Sequence, residues 1–157
     1  MALIDADAQV PQVVDLPSDL AQRALHAIRH IYLESHDDLE GTLGTLVQHP
    51  VYELHPIGLK MQGKALVRRY YEHFFGEARR HVVDYVVHGY CYGETSMTVE
   101  VTISWRYDDG VIRNFRNLTV LPYGSNGITG ERMYAEDEFF RVLFGPILTE
   151  LEHLHVD

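Results

Sequence analysis

The stretch TSMTVEVTISWRY, Thr95 to Tyr107, decides the fold class. Val99, Val101, Ile103 and Trp105 fall at every second position, with Glu100, Thr102 and Ser104 between them. That is the period of a strand with one dry and one wet face. Asp108-Asp109-Gly110 follows as a hairpin turn signal, and VIRNFRNLTVLPY, Val111 to Tyr123, reads as the return strand. If Asn117 and Thr119 face inward, Phe115 does too, and Leu118 and Val120 face out. GSNG turns the chain again, and ITGERMYAED, Ile128 to Asp137, reads as the last strand of this run. On the other side, HVVDYVVHGYCYG, His81 to Gly93, reads as a further strand.

Before Arg80 the period is 3.6. Leu20, Ala24, Ala27, Ile28 and Ile31 predict a first helix from an N-cap at Ser18 to about Ser35. Leu39, Leu43 and Leu46 predict a second, short helix from Asp37 or Asp38 to Val47, weakened by Gly41 and Gly44. VYELHP, Val51 to Pro56, is a strand, and IGLKMQG after it a loop or short strand. Lys64 to Phe75 is a third helix, with Leu66, Val67, Tyr70, Tyr71 and Phe74 as its apolar face. EFFRVLFG forms a C-terminal helix that stops at Gly145-Pro146. Helices first and strands after them give an α+β fold. The expected form is a cystatin-like cone, a curved antiparallel sheet wrapped around the N-terminal helices, with an internal pocket.

The chain has 157 residues, which suggests one domain. Residues 1–17 carry two prolines and no sustained period and read as an arm, with 18–157 as the single domain. Hydrophobic residues make up 46%, enough for a folded core. The net charge of -10 argues against nucleic acid and against an anionic membrane surface as partners. Cys91 is the one cysteine, so an internal disulfide and a cysteine-based zinc site are excluded. No basic segment followed by an apolar run opens the chain, and no stretch reaches the ~18 apolar residues of a membrane span; the expected location is cytoplasmic. GxSxG, CxxC and phosphate-loop motifs do not occur.

Four segments together carry a resemblance: HDDLEGTL, VYELHP, GKALVRRYYEHF and GITGERMYAED. They resemble the SnoaL-like, nuclear-transport-factor-2-like domains, whose members include ketosteroid isomerases, polyketide cyclases, scytalone dehydratase and limonene epoxide hydrolase. The resemblance spans roughly residues 20 to 145. Set against the ketosteroid isomerases, it puts His55 at the position of the general-base aspartate, before the proline that follows the first strand. His30 falls at the oxyanion-hole tyrosine, eight residues before the junction aspartate, and Asn117 at the second oxyanion donor. Tyr71 matches a supporting tyrosine. The resemblance therefore implies His55 as a histidine base, with His30 and Asn117 holding an enolate oxygen. It also implies a homodimer through the sheet face. The motif of limonene epoxide hydrolase needs an acid where this chain has Met133, which argues against that activity.

The residues themselves add to this set. Glu131, Met133 and Ala135 share a strand face, so Met133 in the pocket brings Glu131 to its edge, where a carboxylate can orient a histidine. Tyr71, Trp105, Phe115 and Met133 are the candidate substrate-binding wall, with core packing as the other reading of Trp105 and Phe115. His26 lies four residues before His30, but no carboxylate or third histidine is read at supporting spacing, so neither metal nor other cofactor is expected. Two functions compete. One is a cofactor-free isomerase, dehydratase or cyclase moving a proton on a hydrophobic, steroid- or polyketide-like carbonyl compound. The other is a non-catalytic ligand-binding or dimerisation domain of the same fold.

Overall fold

A computed structural model describes residues 16–154. Most of the expected 1–17 arm lies outside the described residues. The elements follow the order α1 (Ser18–Ser35), α2 (Leu39–Gly44), β1 (Leu46–His55), β2 (Leu59–Gln62), α3 (Lys64–Gly76), β3 (Val82–Tyr92), β4 (Ser96–Arg106), β5 (Ile112–Gly124), β6 (Gly127–Tyr134), α4 (Asp137–Phe144) and β7 (Glu152–His153). One curved sheet runs β3-β4-β5-β6-β1-β2-β7. It is antiparallel except for β1 and β6, which run parallel. The α+β class and the unclosed, curved sheet are as expected.

Two boundaries differ from the sequence reading. Ser18 is not the N-cap of α1; Pro17 is, because its carbonyl already accepts the Ala21 N–H at 2.8 Å. α2 ends at Gly44, three residues before Val47, because Leu46 is drawn into β1 beside Ile128 of β6. Asp38 caps α2 through Gly41 N–H at 2.9 Å. The chain beyond Gly145, which shows no period of its own, forms a 3₁₀ turn over Gly145–Glu150 and then β7, paired with β2.

Alternation places the core. Met97, Val99, Val101, Ile103 and Trp105 of β4 are buried, as are Phe115, Asn117, Thr119 and Leu121 of β5. β6 breaks the pattern once: Ile128 is buried, and then Glu131 and Met133 are. Gly130 makes that change of parity, with φ of 133° and a backbone so close to Val51 that a Cβ would lie 1.8 Å from its carbonyl oxygen. The slip leaves Tyr52 of β1 beside Glu131 and Leu54 beside Met133, all four on the inner face. Without a glycine at 130, Glu131 would not point into the molecule.

Candidate active site

α1 crosses the concave face of the sheet and buries Ala24, Ala27 and His30, one residue per turn. His30 is fully buried, a costly place for an imidazole unless both nitrogens are bonded. Thr45 donates its hydroxyl to the Thr42 carbonyl at 2.6 Å, so its oxygen is left to accept the His30 Nδ1–H at 2.6 Å. This chain of donors fixes the ring and turns Nε2 toward Glu131 Oε1, 3.1 Å away. Tyr71 donates its hydroxyl to the same carboxylate oxygen at 3.3 Å, and Tyr52 meets the Tyr71 hydroxyl at 2.9 Å. Helix, sheet and loop are thus joined by one buried polar network. Burial alone would lower the His30 pKa, but the hydrogen bond and charge of Glu131, with the charge of Glu34, raise it overall. An imidazolium facing a carboxylate is the arrangement this favours. Burial holds the Tyr52 and Tyr71 hydroxyls protonated, well above their ordinary range.

A cavity of about 80 Å³ lies beside this network. A water needs roughly 10–15 Å³ of such space, so there is room for several waters or a small ligand. Glu131 and Met133 border it from β6, Asn117 and Thr119 from β5, and Tyr70 and Phe74 from α3. Glu34, Ser35 and Arg79 border it too and keep partial exposure, which puts the mouth of the cavity there. Glu34 stands one helical turn after His30. Burial, and then repulsion from Glu131, push its carboxyl from 4.5 up to about 7, against the pull of His30 and Arg79. Ligand atoms of His30, Glu34 and Glu131 lie within 4.8 Å of one another, a spacing that a divalent ion can bridge.

The residues singled out in the sequence divide into three groups. Asn117, Glu131 and Met133 border the cavity. His30 and Tyr71 stand behind Glu131 in the network. His55, Trp105 and Phe115 do neither. His55 is carried by alternation to the face opposite Tyr52 and Leu54, where it stacks on Tyr134 at 4.8 Å and pairs with Glu53 at 3.2 Å. It cannot serve as the cavity's base. Trp105 stacks on His81 and Phe115 packs on Phe139, so both are core. Asn117 donates Nδ2–H to Thr119 Oγ1 at 2.9 Å, leaving its Oδ1 without a partner among the described residues. His26 bonds the Thr45 carbonyl at 2.9 Å and takes no part in the cluster.

The polar residues Glu34, Ser35, Tyr70, Arg79, Tyr85 and Thr119 border the cavity and are not among the site candidates read from the sequence. Glu34 was legible as the carboxylate at helical spacing from His30, and it corrects the reading that none stands there. Tyr70 is adjacent to Tyr71 on the same apolar helix face, and the sequence does not distinguish the two. Both are buried, but Tyr71 is spent on the network, and Tyr70 faces the cavity.

No family model matches the sequence, and no curated protein matches it. Solved structures do. A candidate SnoaL-like polyketide cyclase from Jannaschia superposes with a TM-score of 0.66 at 10% identity, over 84% of this chain and 98% of that one. An NTF2-like protein of unknown function from Cytophaga hutchinsonii gives 0.61 at 10% identity, over 73% and 99%. The chain has the NTF2-like fold. A candidate isomerase from Bacillus subtilis shares it, with a TM-score of 0.61 at 13% identity over 82% of this chain and 96% of that one. Identities this low speak for the NTF2-like architecture alone, and the chemistry has to be read from the site. No helix among the described residues is long and apolar enough to cross a membrane.

Proposed function

We propose that this NTF2-like chain is a cofactor-free enzyme that moves a proton on a small hydrophobic carbonyl compound, as an isomerase, dehydratase or cyclase does. The observation that carries the reading is Glu34, a carboxyl on the cavity wall whose pKa of about 7 matches neutral pH. Such a group takes a proton from the carbon beside a carbonyl and returns it elsewhere on the same molecule. Tyr70, kept protonated by burial and bordering the cavity, is the donor to the oxygen of the enolate. The His30–Glu131 pair and Tyr71 position these groups, and Asn117 and Met133 contact the substrate. A candidate cyclase and a candidate isomerase share the architecture, and the class of reaction is read from Glu34 and its neighbours.

A second reading, ligand binding without turnover, is favoured by the cavity's size. About 80 Å³ suits a small molecule more than a fused-ring skeleton. Deuterium exchange from solvent into small ketones, followed by NMR, separates the two. The enzyme reading expects exchange with the wild-type chain and a loss of roughly 100-fold or more in Glu34→Gln. Binding of the ketones with no exchange would leave the second reading in place.

We also propose the homodimer through the outer sheet face. Val86, Leu118 and Tyr134 are exposed there, with Leu118 and Tyr134 paired in register.

A further inference from the structure

The Asn117 end of the cavity is buried and incompletely bonded. Asn117 is 7% exposed and Thr119 5%, and both border the cavity from β5. Asn117 donates one Nδ2–H to Thr119 Oγ1 at 2.9 Å. Its Oδ1 is buried with no donor among the described residues, a costly state for an amide oxygen. The Thr119 oxygen accepts from Asn117 and keeps its own hydroxyl hydrogen to give. Neighbouring side chains on one strand face thus present an acceptor and a donor to the same space. A neutral hydroxyl answers both, donating to Oδ1 and accepting from the Thr119 hydroxyl. A methyl answers neither. A carboxylate has no proton for Oδ1, and an ammonium has no lone pair for the Thr119 hydrogen.

The other end lies apart from this pair. Thr119 pairs with Met133; Glu131 is two residues beyond that level, and Asn117 two residues to the other side. The middle of the Asn117–Thr119 pair is therefore three residues from the level of Glu131, about 10 Å at ~3.4 Å per residue. The ligand atoms of Glu34 and Glu131 lie within 4.8 Å of each other, so Glu34 belongs to that far end. No single group reaches both. A contact of ~2.8 Å at each end leaves roughly 4–5 Å for the ligand itself, a few carbon–carbon bonds. The wall between includes Val99, Ile103, Met133, Phe139 and Leu143, which suits a hydrocarbon spacer.

We infer that the cavity's ligand is a hydroxy-carbonyl compound, whose hydroxyl sits between Asn117 Oδ1 and the Thr119 hydroxyl while a short apolar spacer carries its carbonyl end to Glu34 and Tyr70. The inference rests on the proposed reading of the cavity as a substrate site and narrows the substrate class. With the mouth beside Glu34, the hydroxyl end enters first and the carbonyl end stops at the mouth. Asn117 then sets specificity and orientation. The resemblance gives it a donor's part at the enolate oxygen; its free Oδ1 fits it instead as an acceptor for a second oxygen, away from the reacting carbon.

The test compares 4-hydroxycyclohexanone with 4-methylcyclohexanone, one ring with a hydroxyl or a methyl at the same place, titrated into the whole chain by calorimetry. The expected result is the hydroxy ketone bound at least tenfold more tightly, because the methyl leaves the buried pair unbonded. Asn117→Leu replaces the acceptor by a hydrocarbon of similar size and should reverse the order. Thr119→Val removes the donor and should bring the ratio down toward one. If Asn117→Leu does not fold, the Thr119→Val ratio decides. Equal binding to the wild-type chain, as a water held by Asn117 would give, overturns the inference. So does preference for the methyl ketone, binding of neither, or a hydroxyl preference that survives both substitutions. Hydroxyl preference without deuterium exchange would leave the inference standing while removing the enzyme reading. Exchange of both ketones with no hydroxyl preference would do the reverse.

Discussion

Two histidine–glutamate pairs sit on opposite faces of one sheet. His30 Nε2 is 3.1 Å from Glu131, and His55 Nε2 is 3.2 Å from Glu53. By distance they are the same interaction. By environment they differ. The inner side chains are 0% and 5% exposed, and the outer ones 25% and 29%. The inner pair is bonded onward to Thr45 and Tyr71, whereas the outer pair has the Tyr134 ring on one side and solvent beside it. Chemistry that depends on shifted proton affinities needs the first setting, because water screens the second. A sequence motif that ends a strand in histidine and proline does not say which side of the sheet the ring is on. The alternation of Tyr52 and Leu54 does.

The largest expected contrast lies in removing one acid from each pair. Glu131→Ala strands a buried imidazole and two phenols, and should cost about 3–5 kcal/mol of unfolding free energy in urea titration. Glu53→Ala should cost under ~1 kcal/mol. A similar loss for both would erase the distinction between the two faces.

Next in size is the Tyr71 hydroxyl. Tyr71→Phe keeps the ring and removes the link between Tyr52 and Glu131, for an expected loss of about 1–3 kcal/mol. Tyr134→Phe on the outer face should change stability by less than ~0.5 kcal/mol.

The third contrast is in pH. Glu34 is raised in the fold, so the folded chain keeps a proton that the unfolded chain gives up. The stability linked to that proton is complete below about pH 4.5 and is lost as pH rises through about 7. His30, also raised, acts in the same direction. The melting temperature should therefore fall from roughly pH 5 to pH 8, and Glu34→Gln should flatten most of that slope. The smallest effect belongs to His55→Ala, with stability within ~0.5 kcal/mol of wild type and ketone exchange unaltered.

Most of the fold was legible in the sequence because two periods mark it. The alternation across Val99 to Trp105 and the helical stripe of Leu66 to Phe74 each state which face is dry. The parallel pairing of β1 and β6 was not legible, since it follows from a long-range meeting of Gly130 with Val51. The site was legible in part. Glu131, Met133 and Asn117 followed from alternation once the sheet was read. Alternation places His55 on the face opposite Leu54, and only the resemblance to a family's base points to it as catalytic. Tyr70 and Tyr71 could not be told apart, because neighbours on a helix can both be buried while only one borders a void.

Selective carbon-13 labelling of the glutamate carboxyls, titrated by NMR over roughly pH 4 to 9, tests the central claim most directly. One carboxyl should show a midpoint near 7, absent in Glu34→Gln and unaffected in His55→Ala. If every glutamate titrates in the ordinary carboxylate range, Glu34 is not the poised group, and the inner site loses its base.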